Sequence, residues 1–250
     1  MILGLGLLFA LPFLAGLTAW KIKNPLNEEV QLLLAFSGAF LFSITVTHLI
    51  PGLFGEHNHE GHAHMKVDES LSLFVLLGFL IQLSLDIFSK GVEHGHIHLP
   101  DKHHKSYIFS IMFGLCLHAF IEGIPLGIDS EESGVNFQTL LWGIVLHKIP
   151  AAFVLGILLS SLSLTKRDIL LLLILFASMS PLSMLSAQLL DSYPVIYESV
   201  PIFVAIVAGS FLHISTTILL ESGTKMHRIG FFKFSLILVG FGLGTLLHFL

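Results

Sequence analysis

The sequence predicts an all-α integral membrane protein with eight spanning helices. Three observations lead there. Apolar residues make up 54% of the 250 positions and charged residues only 12%, about half the charge a soluble domain of this length needs to cover its surface. Mean hydropathy is +0.87. The apolar residues come in long runs, of the roughly 20 residues that cross hydrocarbon as a helix, without the alternation of a membrane β-barrel.

Eight stretches meet that length: residues 2–20, 29–51, 69–89, 107–128, 136–160, 167–190, 197–220 and 231–249. The first is apolar from its second residue and lacks the basic leader of a secretory signal, so it is expected to be kept as a helix. The connections are short apart from two histidine-rich segments, at about 52–68 and 90–106, which leaves a single multi-pass domain over 1–250. Lysine and arginine then sort by side. With the amino terminus outside, Lys21, Lys23, Lys90, Lys102, Lys105, Lys166, Arg167, Lys225, Arg228 and Lys233 all fall in inner connections, Lys66 alone falls outside, and Lys148 lies within a span. Basic residues mark the cytoplasmic side, so both termini are expected outside, in a plasma (inner) membrane. The net charge of −5 comes with no basic patch suited to nucleic acid. The expected partners are the lipid bilayer and a small ligand, and a homodimer is compatible with the sequence. The single cysteine, Cys116, lies inside an apolar run, which excludes an internal disulfide and suits a small packing residue.

Ionisable residues inside spans are rare and usually face the bundle interior. The fourth span, IFSIMFGLCLHAFIEGIPLGID, carries His118 and Glu122 four residues apart, on one helix face. Pro125 should loosen the helix beyond them, and Gly123 and Gly127 admit a neighbouring backbone. The fifth span, LLWGIVLHKIPAAFVLGILL, carries His147 and Lys148 near its middle, and Pro150 is expected to open the helix at the Leu146 carbonyl. Imidazole and carboxylate together suit zinc, iron or manganese. The same residues are also compatible with an interhelical hydrogen-bonded pair of His118 and Glu122, and with an ion pair of Lys148 to Glu122. His48, followed by Pro51, stands near the outer end of the second span, as an entrance ligand or an interfacial hydrogen-bonding group. Gln82 and Asp86 share a face of the third span, and Asp86 reads equally as an exit-path residue or an inner-surface cap. His213 and Glu221 read as packing and end-of-span groups. The outer loop holds His57, His59, His62 and His64, and the inner loop His94, His96, His98, His103 and His104. Such tracts favour loose metal capture over a fixed geometry.

These motifs resemble those of ZIP metal transporters. His118-Ala-Phe-Ile-Glu122-Gly123 is similar to the fourth-helix signature of that family, and His147-Lys148-Ile149-Pro150-Ala151-Ala152-Phe153 to the fifth. The segments Gly38–Leu41 with Thr47–Pro51, and Ala208–Leu212, resemble its second and seventh helices. The resemblance covers essentially the whole chain. It implies that helices 1–3 and 6–8 form inverted repeats around helices 4 and 5. It also implies divalent-metal uptake toward the cytoplasm, with His118, Glu122 and His147 as the transport site. Members with two adjacent metals use further carboxylates where this chain has Lys148, Ala151 and Ser180, so a single site is expected. In the seventh helix, Thr217-Ile218 stands where members often carry a carboxylate. The metal is cargo rather than a resident cofactor, zinc first, with iron, manganese, cobalt and cadmium accepted by the same donors. Ion and proton compete for the imidazoles, so uptake is expected to weaken at acid pH.

Three other classes compete. An intramembrane zinc-dependent hydrolase would use its metal to activate water, but the H-E-x-x-H signature is absent and no serine is marked as a nucleophile. A haem electron carrier would pair histidines across a wide apolar pocket. A metal sensor would bind without flux. A transporter, not an enzyme, is the expectation.

Overall fold

A computed structural model of the chain describes residues 1–22, 27–54, 70–95, 104–128, 136–190, 193–224 and 230–247. Every regular element among them is helical. The eight principal helices are α1 (Ile2–Lys21), α2 (Asn27–Ile44), α3 (Ser70–Ser89), α4 (His104–Gly123), α5 (Phe137–Ser160), α6 (Lys166–Leu190), α7 (Val200–Thr224) and α8 (Phe231–Leu246). Seven of these regions are long and apolar enough to cross a membrane, and α8, at 16 residues, is a shorter apolar helix. Large apolar side chains line the outside, among them Ile87 at 71% exposure, Phe109 at 73% and Phe231 at 87%. Contiguous apolar surface on this scale belongs against lipid rather than water. The loop histidines His57, His59, His62, His64, His96, His98 and His103 lie outside the described residues, as does the side chain of His104.

Proline marks where two of the spans change character. Before Pro51, α2 passes into a π-helical turn over Thr45–Leu49, in which the Ile50 N–H reaches back five residues to the Thr45 carbonyl. A short helix, Ile50–Phe54, continues from it. Proline lacks the N–H that the α pattern needs, and the wider turn absorbs the defect while carrying His48. In the fourth span, where the sequence reads as a loosened helix, the α pattern does end at Gly123, but it gives way to a tighter 3₁₀ turn over Ile124–Gly127 containing Pro125. Pro150 behaves differently from expectation. The fifth span is not opened there, and α5 runs on from Phe137 to Ser160. Its surroundings explain this. Of its most apolar stretch, 78% is inside the protein, against 17% for α3, so the surrounding packing keeps the α pattern continuous past the missing hydrogen bond.

Helix α5 is the central post. Helix α1 packs on α5 and α6, α2 on α5, α7 and α8, α3 on α4 and α7, and α4 on α6. Exchanging α1 with α6, α2 with α7, α3 with α8 and α4 with α5 carries α1–α5 onto α6–α4, and α3–α7 onto α8–α2, all four of which are packed pairs. Small residues permit the tightest approaches. A Cβ on Gly78 of α3 would overlap the Ile206 carbonyl of α7, and one on Gly209 of α7 would overlap the Val75 carbonyl of α3. Without a hydrophobic force between helices in lipid, such close backbone contact is what holds them together. Gly78→Val is therefore expected to break up the monodisperse purified species, at a cost of about 1–3 kcal/mol or more from overpacking. Gly6→Val, whose Cβ would meet nothing within 4 Å, is expected to elute from size exclusion like the parent.

Candidate metal site

His118 and Glu122 stand one turn apart on α4, and α5 brings His147 to the same point. One carboxylate oxygen, Glu122 Oε1, lies 2.5 Å from His118 Nε2 and 2.6 Å from His147 Nε2. All three residues are buried, Glu122 to 1% exposure. The far side of each imidazole is anchored. His147 Nδ1–H donates to the Gly143 carbonyl at 2.7 Å. His118 Nδ1 lies 3.4 Å from Ser210 Oγ of α7. Such outer partners set the tautomer, leaving each Nε2 facing the carboxylate as a donor atom. Two ring nitrogens and a carboxylate oxygen at these separations cannot meet lone pair to lone pair; a proton or another cation must lie between them. Ligands around a tetrahedral zinc are about 3.3 Å apart, given Zn–N of about 2.0–2.1 Å. The three donor atoms stand closer together than that, so an ion held by all three requires them to spread. Glu122 Oε2 has no hydrogen-bond partner and is a second oxygen ready to accept a cation.

The cavity at this point is about 10 Å³, the room of one water or one bare ion, and is lined by Glu93, His118, Glu122, His147, Lys148 and Phe176 among others. Lys148 is also buried, at 1% exposure. Among the described residues Glu122 pairs with His118 and His147 rather than with Lys148 at ion-pair distance. The Lys148 ammonium donates to Ser180 Oγ at 2.7 Å, Ser180 passes the bond to the Ala119 carbonyl at 2.7 Å, and the Nζ lies 5.0 Å from the centre of the Phe176 ring. Gly123 lets these residues converge: a Cβ there would overlap the Ser180 carbonyl and Ser183 hydroxyl of α6.

A hydrogen-bonded chain leads away from the histidine pair. Ser210 Oγ donates to Gln82 Oε1 at 3.0 Å, and Gln82 Nε2 donates to Glu93 Oε2 at 2.7 Å. Glu93 is missed by reading the sequence, because it falls in a stretch that reads as a solvated histidine-rich loop. His94, expected to be a loosely held loop ligand, is buried instead. The cause is a reversal of the chain. Lys90 and Gly91 take left-handed conformations, φ 56° and 74°, a 3₁₀ turn over Val92–His94 follows, and Gly95 at φ 87° ends it. This reversal tucks Val92, Glu93 and His94 under the bundle. Burial holds the Glu93 carboxyl above its ordinary pKa, against the pull of His118 and His94. Asp86 meets His94 there, with Oδ1 3.4 Å from Nε2. On the π-helical turn, His48 Nδ1 lies 2.7 Å from Thr47 Oγ1.

Fold and site together define a multi-pass membrane protein that holds donors for a divalent transition metal at the heart of its helical bundle. The family model of the ZIP zinc transporter matches residues 93–248. Zinc transporter ZIP9 of Micropogonias undulatus is 29% identical over 190 residues, covering 70% of this chain and 58% of the relative. ZIP9 of Xenopus tropicalis is 31% identical over 180 residues, covering 68% and 58%. Protein zntD of Dictyostelium discoideum is 32% identical over 138 residues, covering 50% and 20%. The chain belongs to the ZIP zinc transporter family, and it spans 58% of the length of the ZIP9 relatives it matches.

Proposed function

We propose that the protein carries divalent transition-metal ions, zinc first, across its membrane through one site formed by His118, Glu122 and His147. The observation that carries this reading is the single carboxylate oxygen shared between two buried, back-anchored imidazoles on adjacent central helices. An ionised carboxylate in a low-dielectric interior is costly unless paired. The cluster is therefore poised to trade its protons for a cation. Two neutral imidazoles and one carboxylate leave a net charge of −1, enough to strip water from a divalent ion and small enough to release it.

Direction follows from charge. The excess of Lys and Arg in alternate connections puts both termini outside and the Lys90 side of the bundle in the cytoplasm. The ion enters from outside, past the His48 end of α2, and leaves past Glu93 and Asp86. The loop histidines serve as loose capture groups on either side. The membrane is a plasma membrane in this reading.

The test is flux. The full chain reconstituted in proteoliposomes is expected to load zinc down its gradient, with iron, manganese, cobalt and cadmium competing to graded extents. His118→Ala is expected to lose this flux while eluting as a folded species. Flux no greater than that of protein-free vesicles, or a native rate in His118→Ala, would remove the reading.

A further inference from the structure

We propose that Gln82 of α3 is a positioning residue for the metal site: acting through Ser210, it fixes a proton on His118 Nδ1 and so reserves Nε2 for the ion. The inference rests on the reading of His118, Glu122 and His147 as the site that binds the transported metal.

The two imidazoles are backed by different chemical groups. His147 Nδ1 faces the Gly143 carbonyl at 2.7 Å. A carbonyl only accepts, so that ring must carry a proton on Nδ1, and Nε2 is left as its ligand atom. His118 Nδ1 faces the Ser210 hydroxyl instead, at 3.4 Å. A hydroxyl both donates and accepts. Left to itself, Ser210 could turn its proton onto Nδ1. The ring's own proton would then sit on Nε2, the atom that has to bind metal.

Gln82 removes that freedom. Ser210 Oγ donates to Gln82 Oε1 at 3.0 Å, and a hydroxyl has one proton to give. Toward His118 it then offers only a lone pair, which an Nδ1–H meets. The Gln82 amide is held the right way round by Glu93. Its Nε2 donates to Glu93 Oε2 at 2.7 Å, and a reversed amide would set oxygen against carboxyl oxygen there. The donors therefore all point one way, from His118 through Ser210 and Gln82 to Glu93. Gln82 is 1% exposed, Ser210 and Glu93 4% and His118 5%, so solvent supplies none of them with another partner. In low-dielectric surroundings such a chain holds its polarity firmly. The close α3–α7 contact assembles it: Gly78 stands one turn before Gln82, and Gly209 precedes Ser210.

The consequence is a ring prepared for metal. With Nδ1 protonated, the proton between His118 Nε2 and Glu122 is the one that an arriving ion displaces. Without Gln82, a neutral ring donating from Nε2 to Glu122 and accepting at Nδ1 from Ser210 would be fully hydrogen-bonded, and the ion would have to break that arrangement.

The full chain is labelled with nitrogen-15 in its histidines and purified in detergent without metal. The His118 signals are assigned by their absence in His118→Gln. NMR is expected to find the proton on Nδ1 in the parent and a bare Nδ1 in Gln82→Met, which keeps the length of the side chain but loses the acceptor. In cobalt(II) titrations, the absorption missing from Glu122→Gln reports the site. Gln82→Met is expected to bind about 10–100-fold more weakly than the parent, the usual cost of disturbing an outer partner of a ligand. Gln82→Glu still accepts from Ser210 and can share one proton with Glu93, so it is expected to restore both the Nδ1 proton and the affinity. Ser210→Ala is expected to weaken binding as Gln82→Met does, and the double variant no further, because both act through one hydroxyl. A proton kept on Nδ1 in Gln82→Met would overturn the proposal. So would a Gln82→Glu that fails like Gln82→Met, or losses from Gln82→Met and Ser210→Ala that multiply, as a purely structural Gln82 would give. A parent with no cobalt absorption that Glu122→Gln removes would refute the metal site instead, and the Nδ1 proton would still decide the role of Gln82.

Discussion

Glu122→Ala is expected to lower zinc uptake into proteoliposomes by at least about a hundredfold, with the protein still folded and monodisperse. Disturbing an outer partner of a metal ligand already costs about 10–100-fold. Glu122 is a ligand candidate itself, and it supplies the negative charge of the His118–Glu122–His147 cluster. Its oxygen is the atom both imidazoles share. Without it, two neutral rings remain, and nothing offsets the cost of bringing a dication out of water. The fold survives because each ring keeps its outer contact, His147 to Gly143 and His118 to Ser210. Glu122→Gln separates charge from shape: it fills the same space, keeps a hydrogen-bonding oxygen, and is expected to transport as poorly as Glu122→Ala. Initial rates normalised to reconstituted protein decide the matter, and a native rate in both variants would leave the site without its ion.

Lys148→Glu is expected to admit a second ion beside the first and to slow transport. Lys148 brings a buried positive charge to the cavity that Glu122 lines, held in place by Ser180 and Phe176. At an effective dielectric of about 20, a unit charge 4 Å away is worth about 4 kcal/mol, so an ammonium here repels any additional cation strongly. Reversing its sign turns repulsion into attraction and adds a ligand oxygen next to Ser180. Metal analysis of the variant is expected to show one equivalent more than the parent. Uptake is expected to fall because a more tightly held ion leaves more slowly. Lys148→Met is the neutral comparison, expected to bind the parent's number of ions with higher apparent affinity. An unchanged stoichiometry in Lys148→Glu would mean that Lys148 does not keep a second cation out.

What could be read along the chain was what local chemistry controls. Apolar runs separated by Lys- and Arg-bearing connections mark the spans, because each helix must satisfy its own backbone in lipid. The four-residue interval from His118 to Glu122 placed both on one face, and the proline at 125 marked where α4 gives way to a 3₁₀ turn. The proline at 150 misled, since a helix enclosed by neighbours need not open where its own sequence weakens it. The π-turn that carries His48 had its cue in Pro51, but whether a missing N–H yields a kink, a break or a wider turn depends on what packs around it.

Sequence by itself determined the helical membrane architecture and the donor types on the two central spans. Only the tertiary structure decided which of the remaining polar residues meet. His213 reads as a packing residue and Glu93 as part of a solvated loop, yet a two-residue left-handed reversal and a close α3–α7 contact through Gly78 and Gly209 place both beneath the central histidines. The physical reason is that hydropathy and periodicity report the environment of a residue along its own helix. The meeting of Gln82, Ser210 and Glu93 depends on the distance between backbones far apart in sequence, which is set by how closely glycines let those helices approach.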